Sequence, residues 1–260
     1  MRYTNGNNTG IRIMGIFSNN LLSGAGGQAA GAAGFYSYQI EQSLRIDSTS
    51  DYLKSGNNSE GASEKYTVSC WVKRNDLSRY QVMVGDSAGN WSLVFDAEDN
   101  IKLASHTTVE TNGVFRDVNN WYHIVAQNGP NSGDGAIYVN GVSQDLASNT
   151  FNSNSGMFRS GTNNQIGVSN NGLYNLNGYI AEVYGFSNQT IAPTALGEFK
   201  NGIWVPKEYT GSFGDAQDFY LKFENASDLG NDSSGNNNDF SVQGTLGADH
   251  QVLDSPTFGS

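Results

Sequence analysis

Apolar and polar residues alternate in short segments along most of the chain. Within residues 66–73 the even positions hold Tyr, Val, Cys and Val, and the odd positions hold Thr, Ser, Trp and Lys. A period of two residues is that of a β-strand with two different faces. The same pattern predicts further strands at 43–47, 81–85, 91–95, 100–105, 121–127, 136–140, 165–168, 179–186, 219–223 and 240–242. The sequence therefore predicts an all-β protein.

Turn-forming residues separate these segments. Asn-Gly pairs begin at residues 112, 128, 140, 171, 177 and 201, and both residue types tolerate the positive φ that tight hairpin turns need. Many short strands joined by such turns predict a two-sheet antiparallel sandwich. The pattern predicts a single helix, at about Pro193 to Phe199.

The first 34 residues differ from the remainder. Residues 23–34 are almost all Gly and Ala, a composition that cannot build a core of its own. We interpret residues 1–34 as an arm in which a flexible tether follows an apolar docking segment. The docking residues are predicted to be Ile11, Ile13, Met14, Ile16 and Phe17, and residues 35–260 are predicted to form the folded domain.

Charge and cysteine content argue against several classes of partner and against a disulfide-linked fold. With 14 Lys and Arg against 25 Asp and Glu, the net charge is −11, which should repel nucleic acids and anionic membranes. No segment has the length of a transmembrane helix, and the N-terminus lacks the apolar stretch of a signal peptide. Cys70 is the only cysteine, so we expect no intrachain disulfide and a buried thiol.

Several strand motifs occur together in a known order. Residues 44–47 with 51–53, 67–73, 121–125, 137–141 and 178–183 resemble successive strands of laminin-G-like (concanavalin A-like) jelly rolls. The resemblance implies a jelly-roll domain that binds, decorates or adheres more often than it catalyses. This chain has Ala181 where the family often has an acidic residue, which weakens any inherited metal site, while Glu182 beside it is kept.

One family motif stands in an unexpected place. Residues 219–224 and 232–236 resemble the opening strand and turn of the family, yet they lie near the C-terminus. We therefore hypothesise a circularly permuted jelly roll, since domain termini often lie close together. The layout, including residues 34–44 and 253–257, also resembles structural proteins of marine tailed bacteriophages.

Candidate catalytic residues are few. Glycosidases need two carboxylates that face each other across a groove, and the nearest set, Asp96, Glu98 and Asp99, is predicted to occupy a solvated hairpin turn. Glu182, predicted to share a strand face with Ile180 and Tyr184, has no acidic partner two residues away. His123 lies within a strand and is expected to be structural. We predict no catalytic residue and no enzyme activity.

The sequence offers a few candidate metal and glycan sites. Residues 132–135 and the group Asp232, Asn236 and Asp239 are oxygen-rich turns that could hold calcium, although such turns commonly form without a metal. We predict no cofactor and no metal ligand, with calcium as the open alternative. Tyr174 and Trp204 are the candidate glycan-facing aromatics.

Taken with the phage resemblance, these features favour a virion structural protein. The domain would be a surface-exposed decoration, fibre or spike component, with other virion proteins and copies of itself as partners. The first alternative is a glycan-binding adhesion module that recognises a host surface. A polysaccharide hydrolase or lyase is the third hypothesis.

Overall fold

The computed structural model describes residues 34–59, 65–105, 108–150, 156–170 and 172–257. The five predicted docking residues of the arm lie outside this part of the chain, so the arm stays a prediction. The described residues form two antiparallel eight-stranded sheets and a separate two-stranded hairpin. The predicted all-β sandwich is confirmed.

The first sheet has the strand order β10-β9-β8-β3-β13-β1-β18, and β16 also pairs with β13. Its strands are β1 (Ser43–Ile46), β3 (Tyr66–Arg74), β8 (Tyr122–Asn128), β9 (Ala136–Val139), β10 (Val142–Ser143), β13 (Gly178–Ser187), β16 (Phe219–Leu221) and β18 (Gln251–Val252).

The second sheet has the order β11-β7-β6-β5-β4-β12-β2-β17. Its strands are β2 (Tyr52–Ser55), β4 (Gln81–Asp86), β5 (Trp91–Phe95), β6 (Asn100–Ser105), β7 (Thr108–Val114), β11 (Leu146–Thr150), β12 (Asn164–Ile166) and β17 (Phe240–Gln243). The hairpin consists of β14 (Gly197–Lys200) and β15 (Ile203–Pro206).

The main core lies between the two sheets. On β3 the side chains of Tyr66, Val68, Cys70 and Val72 all belong to this core, as their alternation predicts. The Trp91 indole from the facing sheet donates a hydrogen bond to the Tyr66 hydroxyl at 2.7 Å. These two buried polar groups therefore satisfy each other across the sandwich. Trp71 lies on the opposite face of β3, in a second hydrophobic cluster outside the first sheet.

The central strand β13 contains a β-bulge. Its register against β3 shifts between Ala181 and Tyr184, and Glu182 in the bulge has a positive φ of 51°. A bulge changes which face the following residues occupy. Ile180 therefore faces the main core while Tyr184 lies in a separate outer cluster, so the prediction that Ile180, Glu182 and Tyr184 share one face is wrong.

The C-terminal segment is part of the sandwich. β16 pairs with the second half of β13, on the edge whose first half pairs with β1. β17 adds to β2, and β18 adds to β1. This is the pairing that the permutation hypothesis requires, although the permutation itself stays a hypothesis.

Two local predictions are wrong. The helix expected at Pro193 to Phe199 is a single 3₁₀ turn, Pro193–Ala195, because residues 197–200 pair with residues 203–206 in the hairpin. The acidic turn is not solvated: Asp96 and Asp99 are fully buried, and only Glu98 is exposed. Asp99 pairs with the buried Arg74 at 3.0 Å and with Arg116 at 2.8 Å.

Candidate functional site

A groove of about 860 Å³ opens on the outer face of the first sheet. Strands β3 and β8 form its floor, the β9–β10 turn and the β14–β15 hairpin form one wall, and residues 254–256 and the 117–121 loop form the other. Its lining residues include Tyr36, Trp71, Lys73, Asp117, Asn119, Asn120, Trp121, Asn140, Val142, Phe199, Ile203, Trp204 and Asp254. Three of the four tryptophans of the chain therefore meet in one groove.

The floor is a stack of three aromatic rings. The His123 ring lies between Trp71 and Trp204, with ring-centroid distances of 4.7 Å and 5.9 Å. The Trp204 indole donates to His123 Nδ1 at 2.9 Å, so the imidazole proton must be on Nε2, where Ser69 Oγ accepts at 3.0 Å. Burial lowers the pKa of His123 to about 3, and the three-ring stack is therefore uncharged at neutral pH.

Two glycines fix the position of Trp204. A Cβ atom at Gly141 would lie 2.3 Å from the indole, and one at Gly197 would lie 2.4 Å from it. Gly141 also has a positive φ of 76°, a conformation that favours glycine. The backbone on both sides therefore holds the ring in place.

The hairpin wall carries exposed apolar side chains. Val142 is 54% exposed, and Phe199 and Ile203 are each 57% exposed. Phe199 packs edge-on against Trp204 at 4.9 Å between ring centroids. Exposed apolar residues gathered beside a groove mark a binding surface more often than isolated ones do.

The opposite wall is polar and already ordered. Asp254 accepts from the Trp121 indole at 3.2 Å and forms an ion pair with Lys73. In the adjacent loop Asp117 accepts from the Asn120 amide at 2.6 Å and from the Asn119 backbone at 2.9 Å. The bond from Asn120 is the main reason why the pKa of Asp117 is lowered. The groove thus has one apolar wall and one wall of hydrogen-bonding groups.

Comparison with known families fits this architecture. Residues 47–190, more than half of the chain, match the family described as the concanavalin A-like lectin/glucanases superfamily. The chain belongs to this superfamily. A comparison with curated proteins gave no match.

Two solved structures are similar to this chain at low sequence identity. A proposed carbohydrate-binding protein from Bacteroides ovatus has 15% identity and a TM-score of 0.55, over 84% of this chain and 62% of that one. A heptameric SAP-like pentraxin from Limulus polyphemus has 13% identity and a TM-score of 0.46, over 80% and 97% of the two chains. The present chain thus spans less than two thirds of the Bacteroides protein.

The two aromatic residues singled out in the sequence lie in different places on this concanavalin A-like domain. Trp204 lines the groove and is only 8% exposed. Tyr174 is 54% exposed, packs against Tyr80 at 5.3 Å and is not among the groove residues. Whether either residue contacts a glycan stays a prediction.

Other groove residues escaped the sequence analysis. Trp121 falls in the predicted strand 121–127, and Phe199 falls in the predicted helix. The Asn201-Gly202 pair between Phe199 and Trp204, one of the turn pairs named above, predicts a hairpin and is incompatible with a helix that runs to Phe199.

The candidate catalytic carboxylate Glu182 is held by tyrosines. It accepts hydrogen bonds from Tyr38 at 3.0 Å, from Tyr184 at 2.9 Å and from Tyr220. Burial raises its pKa. Since Tyr38 precedes β1 and Tyr220 lies on β16, this carboxylate joins three distant segments of the concanavalin A-like domain.

The oxygen-rich turns show internal hydrogen bonds. Asp134 accepts from the backbone and side-chain amides of Asn131, and Asp232 accepts from the backbone amides of Tyr220, Ser234 and Asn238. These are Asx-type contacts. Calcium binding at either turn stays a prediction.

A cluster of three other side chains carries potential metal-ligand atoms. Asp47, Asp51 and His250 each offer a ligand atom, and these atoms lie within 4.8 Å of one another. Asp51 already accepts from Thr245 at 2.7 Å, and Asp47 pairs with Arg45 at 3.1 Å. Sequence patterns do not reveal this group, because His250 lies about 200 residues after the two carboxylates. Among the described residues, none of the helices could span a lipid bilayer.

Proposed function

We propose that this domain binds a neutral glycan in the aromatic groove. The observation that carries the proposal is the union, in one groove, of a rigid aromatic floor, an exposed apolar wall and a wall of Asn and Asp side chains. Ligand sites combine apolar surface with a few placed polar groups, and sugar rings present the matching apolar C–H faces and hydroxyl edges.

The polar wall suits hydroxyl groups in particular. On this wall Asn119 and Asn120 supply carboxamides, which donate and accept as a hydroxyl does, and Asn140 of the β9–β10 turn supplies a third from the other wall. Asn140 is positioned by its side-chain oxygen, which accepts from the His123 backbone at 2.8 Å. The pairing within the 117–120 loop and at Asp254 orders the wall before any ligand arrives, which reduces the entropy cost of binding.

Charge supports a neutral rather than an acidic glycan. Lys73 is the one cationic side chain among the described groove-lining residues, and it is already paired with Asp254. The chain has a net charge of −11, so its field repels polyanionic ligands.

A glycan array followed by calorimetry with the strongest hit tests this proposal. We expect Phe199→Ala to weaken binding about tenfold, as loss of an exposed aromatic contact in a binding site does, without loss of stability. Tyr174→Ala is the matched control, because it removes an aromatic of similar exposure outside the groove. Full binding by the Phe199 variant together with lost binding by the Tyr174 variant would place the site elsewhere.

Binding rather than catalysis is favoured by the state of the groove carboxylates. Asp254 is engaged with Lys73 and Trp121, and Asp117 has a lowered pKa, which makes it a poor proton donor. Release of reducing sugar from the bound polysaccharide, lost in an Asp117→Asn variant, would instead support the hydrolase alternative.

We further propose that the domain is displayed on the surface of a tailed-phage virion, as a decoration, fibre or spike component. Two features support this role: the resemblance to phage structural proteins, and the Gly/Ala-rich segment that follows the apolar residues 11–17. In this role the groove would bind glycans on the host surface.

Deleting residues 1–34 is expected to abolish incorporation into particles. Burial of side chains such as Ile11 and Phe17 contributes roughly 1.5–3 kcal/mol each before ordering costs, so the anchor is lost with them. Particle assembly followed by immunoblotting measures incorporation, and circular dichroism checks that the sandwich still folds. Normal incorporation of the shortened chain would refute the anchoring role.

A further inference from the structure

A second pocket lies where the C-terminal segment joins the second sheet. It has a volume of about 180 Å³ and shares no lining residue with the aromatic groove. The end of β2 and Asn164 of β12 form one side, and Gln217, β16, β17 and residues 237–239 form the other. The pocket therefore exists only because the C-terminal segment packs on the sandwich.

Two buried side chains in this pocket carry polar atoms without a hydrogen-bond partner, although the Asn164 amide nitrogen donates to Asn58 Oδ1 at 3.4 Å. Within the described part of the chain, Asn164 Oδ1 and both Gln217 Oε1 and Gln217 Nε2 are unpaired, although Asn164 is only 2% exposed and Gln217 only 8% exposed. Native proteins seldom leave buried polar atoms unpaired. A polar partner inside the pocket would supply the missing bonds.

The pocket chemistry favours a neutral, hydroxyl-rich partner. Six carboxamides line it: Asn57, Asn58, Asn164, Gln217, Asn237 and Asn238. Its described lining includes one carboxylate, Asp239, which already accepts from the Asp232 backbone at 2.8 Å, and no cationic side chain. Divalent cations prefer several carboxylates, whereas carboxamides match hydroxyls that both donate and accept.

Size and shape fit one small ring. The volume of about 180 Å³ is at least ten times the roughly 10–15 Å³ that one buried water needs, so the pocket has room for a ligand of several heavy atoms. Phe219 and Phe240 form an apolar wall, packed edge-to-face at 4.9 Å between centroids. We propose that this pocket binds a single sugar ring or a polyol of that size, independently of the aromatic groove.

The test uses nuclear magnetic resonance on the full ¹⁵N-labelled chain. D-glucose, D-galactose, D-mannose and glycerol are titrated separately, and the side-chain amide signals of Asn164 and Gln217 are followed. At least one of these probes is expected to shift both signals with saturation. Gln217→Met, which keeps the side-chain length, should weaken that binding about tenfold, while Phe199→Ala in the groove should leave it unchanged.

Stability measurements separate a ligand site from a structural one. Gln217→Met removes two unpaired polar atoms, so the variant should unfold at the same or a higher temperature than the parent chain. Asn164→Leu is the second variant in case the first does not fold. The proposal is overturned if no probe shifts the two amides, if Phe199→Ala abolishes the shifts, or if calcium chloride alone produces them.

Discussion

Replacement of Asp99 by asparagine is expected to destabilise the domain by about 3–5 kcal/mol. Asp99 and Arg74 are both fully buried, and their Oδ1 and Nη2 atoms are 3.0 Å apart. The substitution keeps the shape of the side chain but leaves the Arg74 guanidinium buried without its counter-charge. Asparagine also tolerates the positive φ of 70° at this position, so backbone strain adds little. Urea unfolding measures the effect.

A surface pair provides the control for this substitution. Glu224→Gln makes the same change of carboxylate to carboxamide at a side chain that is 57% exposed and lies 3.9 Å from Lys222. Its effect should be at most about 1 kcal/mol. Equal effects at the two positions would show that burial of the Arg74–Asp99 pair contributes nothing.

Acid is expected to destabilise the domain through His123. Burial lowers the pKa of this histidine from 6.5 to about 3, so the unfolded chain takes up the proton first. The stability contributed by neutral His123 is therefore fully present above pH 6.5 and is lost as the pH falls toward 3. At about 1.36 kcal/mol per pH unit, roughly 3 kcal/mol disappears between pH 7 and pH 4.

The measurement must separate His123 from acids that titrate in the same range. Burial raises the pKa of Asp218 to about 6, and a raised carboxyl pKa has the opposite effect, since it costs stability as the pH rises. The informative quantity is therefore the difference in unfolding free energy between the parent chain and a His123→Gln variant. That difference should shrink by about 3 kcal/mol from pH 7 to pH 4, and a constant difference would contradict the assignment.

The sandwich could be predicted from the sequence because its signal is local. Alternation on β3 fixed which residues face the core, and Asn-Gly pairs marked several turns. The bulge at Glu182 could not be predicted, since it depends on how β13 pairs with β3 and β16. The burial of Asp99 also depends on a distant partner, Arg74, which the turn sequence does not contain.

The groove was only partly predictable for the same reason. Trp71, Trp121 and Trp204 are far apart in the chain and meet only after the β14–β15 hairpin packs on the first sheet. A single aromatic in a sequence does not reveal which face it will occupy. The second pocket, lined by six carboxamides, could not be predicted from the sequence. It forms only because Asn164 and Gln217 meet where the C-terminal segment packs on the second sheet.

The late position of β16, β17 and β18 has a consequence for how the protein is synthesised. Until residues 219–252 leave the ribosome, one edge of β13 lacks the strand that pairs with its second half, and β2 lacks its outer neighbour. Unpaired edges can recruit other chains, and such long-range pairing makes folding slow. A nascent or C-terminally shortened chain should therefore depend on chaperones more than the finished domain does.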